Sequence, residues 1–279
     1  MIAEWDTDSV FFSDRLEAAE PGLFTRLRTA LDGVPIGIIP GTADIWCRDY
    51  MPLQVAEDSF YQFVYTPDYL RGFEHLVTSP DKCRLSFMND YRTEPIVLDG
   101  GNVVASRSKV IVTDKVYKEN PTITRPRLRQ RLEELFQAEC IIIPREPYEK
   151  TGHADGIVRF VAEDRVLVND YTAIDPGYGA RLRKVLEDSG LEVETLPLFQ
   201  EKGGKSEFQS AVGVYINYLR VGDLLLVPAY DRPEDELALN CVRRTIPDST
   251  VRQVPCRRIA EEGGVLNCVS WTIKAGNQY

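Results

Sequence analysis

Two histidines occur in the 279-residue chain, and one of them, His153, sits in Thr151-Gly152-His153-Ala154-Asp155-Gly156. The hexapeptide sets an imidazole two residues from a carboxylate, in a glycine-flanked turn ahead of an apolar run. Imidazole titrates near neutrality, so His153 is a candidate general acid/base. Taken alone, the segment reads equally well as a turn whose polar side chains satisfy backbone groups. Two further segments carry reactive groups. Gly263-Gly264-Val265-Leu266-Asn267-Cys268 presents a thiol after a Gly-Gly pair, and Trp46-Cys47-Arg48-Asp49 presents a second carboxylate. A thiolate beside an imidazole is a covalent-catalysis pair. Two carboxylates facing one pocket suit a planar bidentate cation, and guanidinium fits that description best. Together the four groups point to attack on the central carbon of a guanidinium, with His153 protonating the departing amine and then activating a water. The competing reading of Cys268 is an inert core thiol, the usual fate of a free cysteine. Cys47 is read that way, His75 as a surface or packing residue, and Asp44 as an alternative to Asp49.

The elements that must position these groups are hairpins. An apolar strand, a short polar turn and a second apolar strand recur at 53–64, 103–112, 158–168 and 214–227, with turns near Asp58, Ser108, Asp164 and Gly222, spaced 50, 56 and 58 residues apart. Hairpins at a fixed period indicate a repeat array. Helices are predicted at 125–138, 177–189 and 233–245; Leu128, Leu132, Leu135 and Phe136 give the first an amphipathic spacing. A short strand follows each, at 140–144, 191–197 and 251–255. The unit is therefore strand, strand, helix, strand, and five units of about 55 residues fill the chain. The fifth closes the ring, strand 268–274 pairing with an N-terminal strand such as 34–40, which removes sheet edges. The competing reading is a generic α/β protein with hairpins alike by chance. In a closed array the segment before each hairpin converges on the axis. Those segments are Trp46–Asp49 (46–49), Asp99-Gly100-Gly101-Asn102, the His153/Asp155 turn, Gln209-Ser210-Ala211 and the Gly-Gly segment ending in Cys268. Convergence gathers Asp49, His153, Asp155 and Cys268 in one pocket.

Composition bounds the setting. The chain is 43% hydrophobic and 27% charged, as globular proteins are, and no linker or charge block divides it, so one catalytic domain is expected over residues 1–279. A net charge of −10 speaks against nucleic acid and suits a small cationic substrate. No apolar run is long enough to span a membrane, and the first residues lack the basic and apolar stretches of a signal peptide. The six cysteines form no Cys-x-x-Cys pair, so they are expected as reduced thiols in a cytoplasmic protein, without a zinc site.

The motifs carry a resemblance. Trp46-Cys47-Arg48-Asp49-Tyr50-Met51-Pro52 resembles the Trp-x-Arg-Asp-x-x-Pro segment of agmatine deiminases, and Gly152-His153-Ala154-Asp155 their Gly-His-x-Asp. Tyr215-Ile216-Asn217-Tyr218 resembles their Tyr-x-Asn-Phe/Tyr, and the stretch from Gly263 to Cys268 their Gly-Gly-x-x-His-Cys. The motifs run in the family order across nearly the whole chain. The resemblance is to the agmatine deiminase and bacterial-type peptidylarginine deiminase branch of the guanidine-modifying superfamily. It implies the pentein fold, an α/β class five-bladed pseudo-symmetric propeller of ββαβ units, which agrees with the repeat. It implies Cys268 as nucleophile, His153 as general acid/base, and Asp49 and Asp155 as holders of the guanidinium. Trp46 and Trp271 are candidates for the pocket wall, with plain core packing an equal reading for each; Asn217 positions substrate or caps a strand, and Gly101 and Asn102 shape the second loop. The implied reaction converts agmatine to N-carbamoylputrescine and ammonia through a covalent thiouronium, a step of polyamine biosynthesis. No metal or organic cofactor is implied, and a homodimer is allowed. Deimination of peptidyl arginine and amidino transfer are the alternatives within the superfamily. Non-catalytic pentein binding proteins lack the Cys/His/Asp set retained here. Two departures bear on the substrate tail: Asn267 stands where the family usually has His, and the chain is shorter than typical agmatine deiminases.

Overall fold

The computed structural model describes residues 1–199 and 209–276, and its named strands form five three-stranded sheets. In chain order the elements are β1 (Ser9–Ser13), α1 (Leu16–Ala19), α2 (Pro21–Ala30), β2 (Ile36–Ile39), α3 (Cys47–Tyr50), β3 (Leu53–Ala56), β4 (Ser59–Val64) and β5 (Asp90–Val97). Then come β6 (Val104–Ala105), β7 (Lys109–Thr113), α4 (Lys115–Glu119), α5 (Arg125–Phe136), β8 (Glu139–Ile143), β9 (Val158–Ala162), β10 (Arg165–Asn169), α6 (Pro176–Asp188) and β11 (Glu192–Leu196). The remainder are β12 (Leu219–Val221), β13 (Leu224–Ala229), α7 (Glu234–Thr245), β14 (Thr250–Pro255), α8 (Arg257–Ala260) and β15 (Ser270–Ile273).

The sheets β3-β4-β5, β6-β7-β8, β9-β10-β11, β12-β13-β14 and β15-β1-β2 share one plan. In each, the first strand runs antiparallel to the second, and the third returns parallel on its other side. A parallel return needs a crossover. Helices α2, α5, α6 and α7 supply it in four units; between β4 and β5 the chain instead makes 3-10 turns at Asp68–Leu70, Glu74–Leu76 and Pro80–Lys82. Strand β6 packs on β9 and β12 on β15, so the first strands face one another at the middle. This is the five-bladed α/β propeller, the pentein architecture, that the repeat predicts.

Local chemistry explains the helices. Asp175 caps α6 by accepting from the Tyr178 amide at 2.8 Å, and Pro176 takes the first position, where its missing N–H costs nothing. Glu234, Asp235 and Glu236 open α7 while Arg243 and Arg244 close it, complementing the helix dipole. Leu128, Leu132, Leu135 and Phe136 of α5 and Tyr178, Leu182 and Leu186 of α6 are buried on the sheets they cross. Among the described residues no helix is long and apolar enough to cross a membrane.

Two expectations need correction. Strand 268–274 does reach the N-terminal sheet, but its partner is β1, with Phe11 opposite Trp271; strand 34–40 appears as β2, on the far side of β1. Strand β1 is buried throughout and so lacks the alternation that marks a half-exposed strand. The fourth hairpin starts at Leu219 rather than Val214. Upstream, Val214 makes only an isolated antiparallel bridge to Leu198, the carbonyls of Ile216 and Tyr218 accept from the Arg159 guanidinium at 3.4 and 2.7 Å, and residues 215–218 turn instead of pairing.

Three single helical turns precede first strands and touch in series: α3 before β3, Gly100–Asn102 before β6, and Ala154–Gly156 before β9. They deliver the side chains of the site.

Candidate active site

One pocket is lined by Trp46, Asp49, His153, Asp155, Asn217 and Cys268, residues contributed by four of the five units. The loops are tied directly. The Arg48 amide donates to the Cys268 carbonyl at 3.1 Å, and the Asn267 amide to the Asn217 carbonyl at 3.2 Å. The Asn217 side-chain oxygen accepts from both the Cys268 amide and the Cys268 thiol, each at 3.3 Å. The thiol is therefore aimed by a residue of the loop before β12.

The imidazole of His153 lies between two carboxylates. Its Nε2 is 3.0 Å from Asp99 Oδ2 and its Nδ1 is 3.4 Å from Asp49 Oδ1. Tyr69 closes the near side: its ring meets the imidazole edge-on at 5.7 Å between centroids, and its hydroxyl donates to Asp49 Oδ2 at 3.3 Å. Behind Asp99, Lys115 donates to the same Oδ2 at 2.5 Å and forms an ion pair with Glu119 at 2.8 Å. Gly101 lets these groups approach, because a Cβ there would lie 2.5 Å from Asp49 Oδ1 and 2.6 Å from His153 Nδ1. Gly264 has the same use opposite Trp46, whose ring occupies the space a Cβ would take. Asp155 points away from the imidazole of its own turn; its Oδ2 accepts from Asn267 at 2.6 Å.

Burial and charge set the protonation states. Burial pulls His153 toward neutrality, but Asp49 and Asp99 outweigh it and hold the imidazolium up to about 9. Burial pushes Asp49 up to about 7, with Asp99 and Asp155 adding repulsion and His153 opposing them. Asp99, though buried, stays below the usual carboxylate range because His153 and Lys115 bond to it. Burial, with the charges of Asp155 and Asp49, drives the Cys268 thiol well above its ordinary value, so it rests as the neutral thiol. Among the described residues no three His, Cys, Asp or Glu side chains are grouped to hold a metal ion.

Gly101 and Asn102 fall outside the pocket lining, and Trp271 takes the packing alternative. Asn102 is fully buried and its side-chain oxygen accepts from the Thr113 amide at 3.0 Å, bracing β7. Trp271 packs against Phe11, Phe60 and Phe87 and donates its indole N–H to the Pro52 carbonyl at 2.9 Å, a core role. Cys47 is likewise a core thiol, donating to the Val269 carbonyl at 3.1 Å. Asp44 lines the pocket together with Asp49. Sequence reasoning missed Asp99, Tyr69 and Lys115. Asp99 belongs to a segment expected to converge, and that was its only signal.

The chain matches the model of a family described as Porphyromonas-type peptidyl-arginine deiminase over residues 17–273. It is 28% identical over 301 aligned residues to the agmatine deiminase of Pseudomonas aeruginosa (strain LESB58), covering 90% of this chain and 80% of that protein. Among solved structures, C. jejuni agmatine deiminase, as a Cys-to-Ser variant with substrate bound, superposes with a TM-score of 0.80 at 14% identity, covering 97% of this chain and 95% of that one. The agmatine deiminase of Enterococcus faecalis superposes with a TM-score of 0.79 at 17% identity, covering 99% and 96%. These superpositions establish the shared fold.

Proposed function

The chain belongs to the Porphyromonas-type peptidyl-arginine deiminase family, and from that membership we propose that it hydrolyses the guanidinium of agmatine to N-carbamoylputrescine and ammonia. One observation carries the choice of substrate. The pocket is lined by six carboxylates, Asp44, Asp49, Glu146, Glu149, Asp155 and Glu262, and by no lysine or arginine among the described residues. Such a lining attracts a dication. It offers nothing to hold the α-carboxylate of free arginine, which the surrounding anions repel.

Asp49 and Asp155 receive the guanidinium nitrogens. The arriving cation reverses the field on Cys268: a thiol kept neutral by anionic neighbours becomes a thiolate beside a positive charge and releases its proton. The thiolate adds to the central carbon of the guanidinium. His153, charged at neutral pH and held by Asp99, donates its proton to the departing nitrogen, and the C–N bond breaks to give ammonia and an S-linked thiouronium. The neutral imidazole then takes a proton from a water that attacks the same carbon. Collapse of that adduct breaks the C–S bond, leaving the ureido product and the thiolate. Asn217 aims the sulfur, and Gly101 gives Asp49 and His153 room to share one edge of the site. Gly101 and Asn102 act through the shape of their loop. The same reading places the protein in a cytosol, acting on a small molecule as one catalytic domain.

The test is incubation of the purified protein with agmatine, arginine and an arginyl peptide, following ureido product and ammonia. Agmatine is expected to be turned over with the highest kcat/KM. A preference for the arginyl peptide assigns the protein to peptidyl-arginine deimination instead, and transfer to an added amine without ammonia release assigns it to amidino transfer.

A further inference from the structure

Asn267 does not line the pocket, yet its side chain connects three of the loops that build it. It is buried, 2% exposed, and its amide can face only one way. Arg48 Nη2 donates to Asn267 Oδ1 at 3.1 Å, and a guanidinium has no acceptor, so that end of the amide is the oxygen. The opposite end, Nδ2, then donates to Asp155 Oδ2 at 2.6 Å. The backbone is fixed as well: the Asn267 N–H donates to Asn217, and its carbonyl accepts from Arg48 Nε at 3.4 Å and from the Ser270 hydroxyl at 3.1 Å. Arg48 also reaches Thr272 Oγ1 at 3.4 Å. The chain Arg48–Asn267–Asp155 thus runs from the first unit through the fifth to the third.

We propose that Asn267 is a positioning residue that sets the affinity for the guanidinium by holding the Asp155 carboxylate in one orientation, with Oδ2 occupied and the other oxygen left for the ligand. This rests on the reading that Asp155 receives the guanidinium. The residue type follows from the neighbours. A carboxylate held without such a donor rotates between orientations and loses its planar, bidentate fit to the cation. A carboxylate in place of the amide would set two anions at hydrogen-bond distance in a buried site. An amide donates without adding charge, and Arg48, which otherwise has no route to Asp155, is coupled to it through the amide dipole.

The test is a double-mutant cycle read on binding. Calorimetric titrations with agmatine and with the guanidinium ion are made on the Cys268→Ser protein, alone and combined with Asn267→Ala, with Asp155→Asn and with both. Asn267→Ala is expected to weaken agmatine binding about tenfold where Asp155 is present and less than twofold, within about the error of additivity, where Asp155→Asn is present. An undiminished loss in the Asp155→Asn background, or no loss in either, overturns the proposal. If Asn267→Ala does not fold, the near-isosteric Asn267→Asp replaces it, with a loss of about a hundredfold expected from the paired anions; unchanged affinity overturns the proposal. Failure of the activity reading looks different. There the Cys268→Ser protein binds agmatine and the cycle is non-additive, while the unmodified protein forms no ureido product. Absence of any binding by the Cys268→Ser protein overturns both.

Discussion

The pocket around Cys268 and the region beneath the N-terminal segment are built by the same repeating units, and both bury charge. They treat that charge differently. Beneath the N-terminus, Arg159 is fully buried, pairs with Glu4, donates to two backbone carbonyls and lies 4.4 Å over the Tyr218 ring. Arg220, 5% exposed, lies 5.3 Å over the ring of Trp5 and donates to the Gly222 carbonyl at 3.0 Å. The chain supplies partners to both cations there, although Arg159 Nε and Arg220 Nη1 are themselves buried without one. In the pocket, buried oxygens of Asp44 and Asp49 have no hydrogen-bond partner, and one oxygen of Asp99 behind it has none either. Leaving a buried carboxylate oxygen unanswered costs stability, and such sites persist where a ligand supplies the missing partner. The same fold thus holds one set of charges for structure and another in reserve for binding.

The contrast breaks most completely at Cys268. Cys268→Ala is expected to lower ureido product formation by roughly four orders of magnitude or more while the melting temperature stays close to that of the parent; product at the parent rate would remove the nucleophile from the proposed site. On the arginine side the effects reverse. Glu4→Ala strands the Arg159 guanidinium and is expected to cost about 3 kcal/mol of unfolding free energy, with kcat/KM for agmatine unchanged; denaturant titration and steady-state kinetics check the two halves. Asp49→Asn and Asp155→Asn should each weaken agmatine binding by about 10–100-fold without lowering the melting temperature. A loss of stability comparable to that of Glu4→Ala would mean that these carboxylates serve structure after all.

Smaller effects sharpen the comparison through pH. His153 is held up to about 9, above its unfolded value, by Asp49 and Asp99 against the pull of burial. Its stabilising contribution is complete below about pH 6.5 and is lost as pH climbs through about 9. The proton it delivers disappears over the same range, so kcat/KM should fall on an alkaline limb near pH 9. Asp99→Asn is expected to move that limb to lower pH, and a limb that stays in place would detach Asp99 from the imidazole. Asp44 supplies the smallest shift. Burial pushes its carboxyl up to about 7, with Asp49 adding repulsion. Stability from that group is present below about pH 4 and lost as pH rises through 7. Asp44→Asn should therefore raise the melting temperature at pH 8 by about 3 °C and leave it unchanged at pH 4.

Legibility in the sequence followed periodicity. The hairpins at 53–64, 103–112 and 158–168 and the helices at 125–138, 177–189 and 233–245 all correspond to observed elements, because each has a patterned apolar face and a turn or cap at its end. The convergent loops were legible for the same reason: they are what precedes a recognisable strand. The unread parts lack pattern. Strand β1 is buried on both faces, and Tyr69 lies in the irregular stretch between β4 and β5 that has no counterpart in the other units. Asp99 fell in a segment expected to converge but received no role, since its bond to His153 spans 54 positions and no spacing rule reaches so far. Asn102 erred the other way: it ends a loop of the site, yet its side chain turns into the body of a blade and accepts from Thr113.

The order in which the last sheet is assembled has its own consequence. Strand β1 is made before every other strand described here, yet its antiparallel partner β15 is made after all of them. Until then Val10, Phe11 and Phe12 present an apolar strand edge with nothing along it, the kind of edge that invites pairing with another chain. Cys268 emerges two residues ahead of the strand that ends this exposure. A nascent chain would thus carry no aligned thiol until the other described strands are made, and the reactive sulfur would gain its neighbours in the same event that hides the edge.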